Sequence, residues 1–353
     1  MSGSTVSLVA IGGYTPDDAE AASGPAGLTT WWWDGATGAA PAGSADLPSP
    51  SFACWHPTLP VLYAVSELDT GVVTTLAVAE DGRLEPVSSA GTGGAQPCWV
   101  TTDRRGHALL IANYGSGSAA IFALDPDGTP IGDATVVQHH GSGPVADRQR
   151  GPHVHQLVPT ASGTVLASDL GADRITEYRI DIAPAALQVV EVDAITMPAG
   201  SGPRHIALAT GGAAGYVTGE LDGTVTTIQR ADDRWAAAGQ VACSGRSGAK
   251  PSHVQLASGD RWLLVANRGP DTLAVLDATN GLSIRDEVPI GATPRHFAVV
   301  GETVLVACQD GGEVDVLRLD AAAGTLDRVD TLSAAVPGPP WRQPSCVAPR
   351  PRT

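Results

Sequence analysis

Eight side chains in the sequence combine residue types and spacings that suit acid–base and anion chemistry: Arg148, His153, His155, Asp169, Arg204, Glu220, Arg268 and Arg295. Four of them fall in the stretch RQRGPHVHQLVPTASGTVLASDLGADR, residues 148–174. Its first predicted strand carries His153 and His155, two residues apart. Strand side chains alternate faces, so the two rings are expected to point the same way. A turn at Ser162 and Gly163 leads into TVLASDL, so an antiparallel pairing returns Asp169 beside the histidines. An imidazole next to a carboxylate can move protons at neutral pH. A His-x-His pair with a third ligand such as Asp169 can also hold a divalent metal. No second histidine-rich arm completes that set, because His139 and His140 read as part of an outer strand.

The elements that must position these residues repeat along the chain. A proline opens a short strand, a turn follows, and a second apolar strand ends in a polar residue. The prolines stand at 50, 97, 152, 203, 251 and 294, with gaps of 47, 55, 51, 48 and 43 residues. Each copy continues into a third strand, among them VTTLAV, SAAIFAL and RITEYRI. Hairpin signals such as Asp81-Gly82, Asp127-Gly128 and Asn280-Gly281 then introduce a weaker, more polar fourth strand. Four antiparallel strands every ~45 residues is the period of a propeller blade. QPSCVAPR, from Gln343, reads as a first strand with nothing after it, and SLVAIGGY, from Ser7, as a second strand with nothing before it. LTTWWWDGATG and APAGSADL supply strands three and four. The sequence therefore predicts an all-β, seven-bladed propeller as one domain over residues 1–353, its closing blade built from both termini. On such a strand Trp31, Trp32 and Trp33 alternate faces, which favours packing between blades over ligand stacking.

This phase puts the start of strand one and the end of strand two at one mouth. That rim gathers Ser51, Cys98, His153, Arg204, Ser252, Arg295 and Ser345 with Tyr14, Glu67, Tyr114, Asp169, Glu220, Arg268 and Gln309. His205, His253 and His296 recur at one blade position and read as scaffold. His155, Glu220 and Arg268 each occur once at their positions, and breaking the repeat marks a site.

Hydrophobic residues are 43% of the chain and charged residues 16%, which fits a packed core and excludes a disordered chain. A formal net charge of -16 argues against nucleic acid or an anionic membrane as partner, and leaves anion binding to a local arginine cluster. Cys54, Cys98, Cys243, Cys308 and Cys346 are odd in number and without CxxC spacing, which favours a reducing cytoplasm. The opening MSGSTVSLVAIGG lacks the basic start and long apolar run of a signal peptide, and no stretch reaches the ~20 apolar residues of a membrane span. No G-x-S-x-G elbow is present, and GTGGAQ and GSGPV lack the strand-to-helix context of a phosphate loop.

RQRGPHVHQ, DLGADRITEY, GPRHIAL and the NRG at Asn267 resemble the seven-bladed propeller lactonases, and the likeness runs from IGGYT at Ile11 to PSCV at Pro344. That family includes propeller-type 6-phosphogluconolactonases and 3-carboxy-cis,cis-muconate lactonizing enzymes. The resemblance implies a metal-independent site without cofactor at the channel mouth, with His155, Arg204, Arg268 and Glu220 at the family's active positions. It implies hydrolysis of a sugar lactone, 6-phosphogluconolactone or a related aldonolactone. His155 would be the base, Glu220 its orienting partner or alternative, and Arg204 the oxyanion partner. Arg268, His153, Asp169, Arg295 and Arg148 are the expected substrate-binding residues. Lys250 is the only lysine, so phosphate recognition would fall to arginine. The alternatives are a muconate-type cycloisomerase and a non-catalytic scaffold. The expected partner is a small anionic lactone, and the expected assembly a monomer or weak oligomer.

Overall fold

Runs such as VLYAVS and ALLIAN carry apolar residues at consecutive positions, a pattern that needs cover on both faces of a strand. In the computed structural model, which describes residues 7–15, 27–35, 38–183, 186–333 and 343–351, these runs are second strands (Val61–Ser66 and Ala108–Asn113), buried at every position. Each lies inside a four-stranded antiparallel sheet, sandwiched between neighbouring sheets. The polar fourth strands, such as Leu84–Gly91, form the exposed outer edges.

Seven such sheets are present among the described residues, which form no helix. The six internal blades run in chain order from Phe52 to Ser333. The closing blade has strand order Gln343–Pro349, Ser7–Tyr14, Leu28–Trp33, Ala39–Ala45, so both chain ends build it as expected. Innermost strands contact one another in an unbroken cycle. Residues 1–6, the start of the stretch that lacks a signal peptide's basic opening, lie outside those described.

Apolar clusters fill the spaces between adjacent blades. Trp31 and Trp33 pack on Leu305, Val316 and Leu332 of the sixth blade, while Trp32 turns the other way and donates to the Asp81 carbonyl at 3.1 Å. The tryptophan run is therefore interblade packing. The hairpin at Asp81-Gly82 turns through a φ of 88° at Gly82, a left-handed conformation that glycine adopts without strain.

One irregularity recurs and positions the site. Inner-strand pairing is interrupted just after the blade proline: Pro97 faces Asn113 but Trp99 faces Ala112, and Pro294 faces Cys308 but His296 faces Ala307. Similar shifts fall at Val154/Gln156 and Pro203/Ile206. Cys98, His155, Arg204 and Arg295 sit in these bulges. A bulge bends the strand and re-aims the extra side chain, here into the channel mouth.

Candidate active site

Glu220 ends the second strand of the fourth blade, and its carboxylate is the hub of the mouth. Arg148 Nη2 stands 2.7 Å from Oε1, while Arg204 Nε and Arg268 Nη2 stand 2.9 and 2.6 Å from Oε2. Three elements converge here. Arg204 comes from the bulge of the same blade and Arg268 from the end of the fifth blade's second strand. Arg148 comes from the loop before the third blade. That loop is pinned by Gln149, fully buried, whose amide bonds Leu170 O at 2.9 Å and Asp173 Oδ1 at 2.8 Å. Arg148 also donates to the Tyr114 hydroxyl at 3.2 Å. Arg150, by contrast, is exposed and bonds Ala146 O within its own loop.

Burial alone would push the Glu220 carboxyl up, but Arg268 and Arg204, then His155 and Arg148, outweigh it and hold it far below the usual carboxylate range. Glu220 is a permanent counter-ion. Burial and then Arg268 pull Arg204 down to about 9, so with Glu220 beside it the guanidinium keeps its charge at neutral pH. The contacts from Arg204 Nε and Arg268 Nη2 to Glu220 are ion pairs without hydrogen-bond alignment. These N–H groups and Arg268 Nε have no hydrogen-bond acceptor among the described residues. Buried donors left unpaired are costly, and an anion or developing oxyanion would relieve that cost.

The cavity beside this hub has a volume of about 200 Å³ and is lined by Arg148, Arg204, Arg268, Arg295, Glu220, Glu67, His155, Cys98, Tyr114 and Gln96. Four guanidiniums thus face two carboxylates in a chain of net charge -16. A larger cavity of about 580 Å³ at the inner strands' other end, around Phe52, Trp99, His253 and His296, has no arginine in its lining. Charge singles out the smaller one.

His155 is buried, with Nδ1 3.6 Å from Cys98 Sγ. Burial, then Arg204, pushes its ring well below the usual histidine range, so it is neutral at physiological pH. It has no carboxylate partner within hydrogen-bond reach among the described residues. Protonating it would add a cation beside Arg204 and Arg295, which weakens the expectation that it serves as base. The same holds for Glu220, whose lone pairs face guanidiniums.

His153 and Asp169 do not line the cavity. The expectation that His153 and His155 share a face assumed regular alternation, and the bulge at His155 removes it. His153 instead stacks on Tyr114, ring centroids 4.5 Å apart, with Nδ1 2.9 Å from the Tyr114 carbonyl oxygen. Asp169 is fully buried: Oδ1 accepts from the amides of His153, Gly171 and Ala172, and Oδ2 pairs with His139 Nδ1 at 2.9 Å. Gly171 allows this close turn, since a Cβ there would stand 1.9 Å from Gly151 O. Both residues expected to bind substrate therefore build the loop that carries Arg148. Among the described residues no three His, Cys, Asp or Glu side chains are grouped to hold a metal.

His205, His253 and His296 form the channel's aromatic waist with Phe52 and Trp99, their rings in edge and tilted contacts, in keeping with a scaffold role. The rim residues Glu67 and Tyr14, not among the residues expected to bind substrate, meet across two blades, the phenol donating to Glu67 Oε2 at 2.8 Å. Their positions at the ends of second strands were the signal available.

A family model described as lactonase, 7-bladed beta-propeller, matches residues 8–348. The chain belongs to this family. Among lactonase relatives, a 6-phosphogluconolactonase of Formosa agariphila is 27% identical over 295 residues, covering 79% of this chain and 84% of that protein. A Bacillus subtilis 6-phosphogluconolactonase is 26% identical over 310 residues, covering 84% and 87%. The solved structure of a Pseudomonas aeruginosa periplasmic gluconolactonase superposes with a TM-score of 0.83 at 27% identity, covering 98% of this chain and 99% of that one.

Proposed function

We propose that this lactonase hydrolyses an anionic sugar lactone, 6-phosphogluconolactone or a related aldonolactone, without a metal ion. The observation that carries the reading is a cavity lined by four arginines, three of them paired with the one ionised carboxylate of Glu220, with buried N–H groups left over for a ligand. The names of the Formosa and Bacillus relatives support the same substrate class. In this reading Arg204, held in place by Glu220, faces the carbonyl oxygen and stabilises the oxyanion as it forms. Arg268, Arg148 and Arg295 hold the substrate's anionic group through forked hydrogen bonds that a lysine would not reproduce. Glu220 positions the guanidiniums and takes no proton. His155 hydrogen-bonds the sugar as a neutral ring. The free cysteines suit a cytoplasmic protein, and fractionation of cells against periplasmic and cytoplasmic markers tests that compartment.

A pH-stat panel of sugar lactones and muconates, each corrected for spontaneous reaction, tests the activity. Hydrolysis fastest on a phosphorylated or carboxylated lactone is the expected result. Ring closure of a muconate with no lactone opened would replace this reading by the cycloisomerase.

A further inference from the structure

Hydrolysis needs a group that takes a proton from water, and the hub does not provide one. Glu220 is occupied by three guanidiniums, and His155 would become a buried cation beside two others. Glu67 differs from both. It is half-buried on the cavity wall, forms no ion pair among the described residues, and accepts one side-chain hydrogen bond, from Tyr14 onto Oε2. Tyr14 is held in turn by the Arg295 guanidinium, 5.3 Å from its ring centre. No donor among the described residues reaches Oε1.

Behind the arginine cavity, and sharing Glu67, His155, Arg204 and Arg295 with it, lies a pocket of about 10 Å³. That is roughly the space of one water molecule. Ser51 is also in its wall, 4% exposed, with an Oγ that has no hydrogen-bond partner among the described residues. An unpaired buried hydroxyl and a carboxylate oxygen without a donor, in the wall of one pocket, offer a water both a donor and an acceptor.

We propose that Glu67 is the general base of the reaction, acting on a water seated between its Oε1 and Ser51 Oγ, with Tyr14 as the positioning residue. The inference rests on the lactonase reading above. The water oxygen adds to the carbonyl carbon while one of its protons passes to Glu67, and the carbonyl π pair becomes the oxyanion at Arg204. Collapse restores the C=O bond and breaks the bond to the ring oxygen, which takes the proton back from Glu67. The hydroxy acid then ionises to solvent, so lactone and one water are consumed and Glu67 is regenerated.

The test uses the full chain with glucono-1,5-lactone and its 6-phosphate. Glu67→Gln should lower kcat ~100-fold or more with KM within about 3-fold, and should remove the acidic limb of the pH–kcat profile. Glu67→Ala should recover roughly 10-fold in formate, a carboxylate small enough to enter the vacated space and act as an external base. Folded Glu67→Gln with kcat within about 3-fold of wild type overturns the proposal and leaves the lactonase reading standing. Wild-type protein that opens neither lactone overturns both. If the Glu67 variants do not fold, Tyr14→Phe decides, because it keeps the carboxylate. A roughly 10-fold lower kcat with a displaced acidic limb supports the assignment, and an unchanged profile overturns it.

Discussion

Two acidic clusters occupy equivalent places in adjacent blades, at the ends of the second strands of the third and fourth. Asp169 and Glu220 both lie at the mouth, both are buried, and both have a basic residue of the inner strand nearby. Asp169 is closed. Three backbone amides and His139 take its lone pairs, and His139 passes the chain of bonds to the Tyr178 hydroxyl. Glu220 is open: its partners are guanidiniums with N–H groups to spare, and they border a cavity. Burial and charge do not separate scaffold from site here. The identity of the partners does, because backbone amides are used up by the contact and guanidinium forks are not.

The comparison breaks most visibly at Glu220. Glu220→Gln leaves Arg204 buried beside Arg268 without its counter-ion, so unfolding free energy should fall by about 3–5 kcal/mol. Denaturant titration measures it, and a change under about 1 kcal/mol would mean that the hub is not an ion-pair network. At the closed cluster, Asp169→Asn turns an acceptor oxygen into a donor facing amides or His139, at a cost of about 1–3 kcal/mol. The turnover per folded molecule should stay within about 3-fold of wild type. A kcat loss near 100-fold in a well-folded Asp169→Asn would return that residue to the site.

Acid sharpens the contrast next. The His155 ring is pushed below its unfolded value of 6.5, so between 6.5 and its folded value the unfolded chain binds the extra proton. His155 therefore costs nothing above that range, and stability is lost as pH falls through it, by about 1.4 kcal/mol per pH unit. His205, His253 and His296 shift in the same direction and add to the loss. Denaturant midpoints from pH 7 to 5 should fall steeply. NMR of the His155 ring should find it neutral throughout while the fold persists. Arg268→Lys is expected to act on binding: it keeps the charge, loses the fork, and should raise KM about 10-fold with kcat little changed. The smallest effect belongs to metal removal. Prolonged chelation should leave activity unchanged, because His153, His155 and Asp169 are committed to separate partners. Activity lost on chelation and restored by one divalent ion would overturn that.

Architecture was legible because each blade is a local unit whose strands pair with their sequence neighbours. The proline spacing, the Asp-Gly and Asn-Gly hairpins and the orphan strands at Ser7 and Gln343 carry it, and they are properties of short stretches. The convergence of Arg204, Glu220 and Arg268 on one mouth followed from the strand phase, whereas His155 was singled out by the family resemblance. What the chain's order left open was decided by geometry that no short stretch encodes. The blade proline marks where each bulge falls but not which way its side chains turn, and the bulges turn Cys98, His155, Arg204 and Arg295 inward and part His155 from His153. Asp169 and Glu220 are alike in type and place, and only the groups around them make one a strut and the other a hub. Glu67 meets Tyr14 because ring closure brings the closing blade against the first, 53 residues apart in sequence. A repeat determines where a side chain stands along its blade, whereas the partners it finds depend on the neighbouring blades and the loops packed over the mouth.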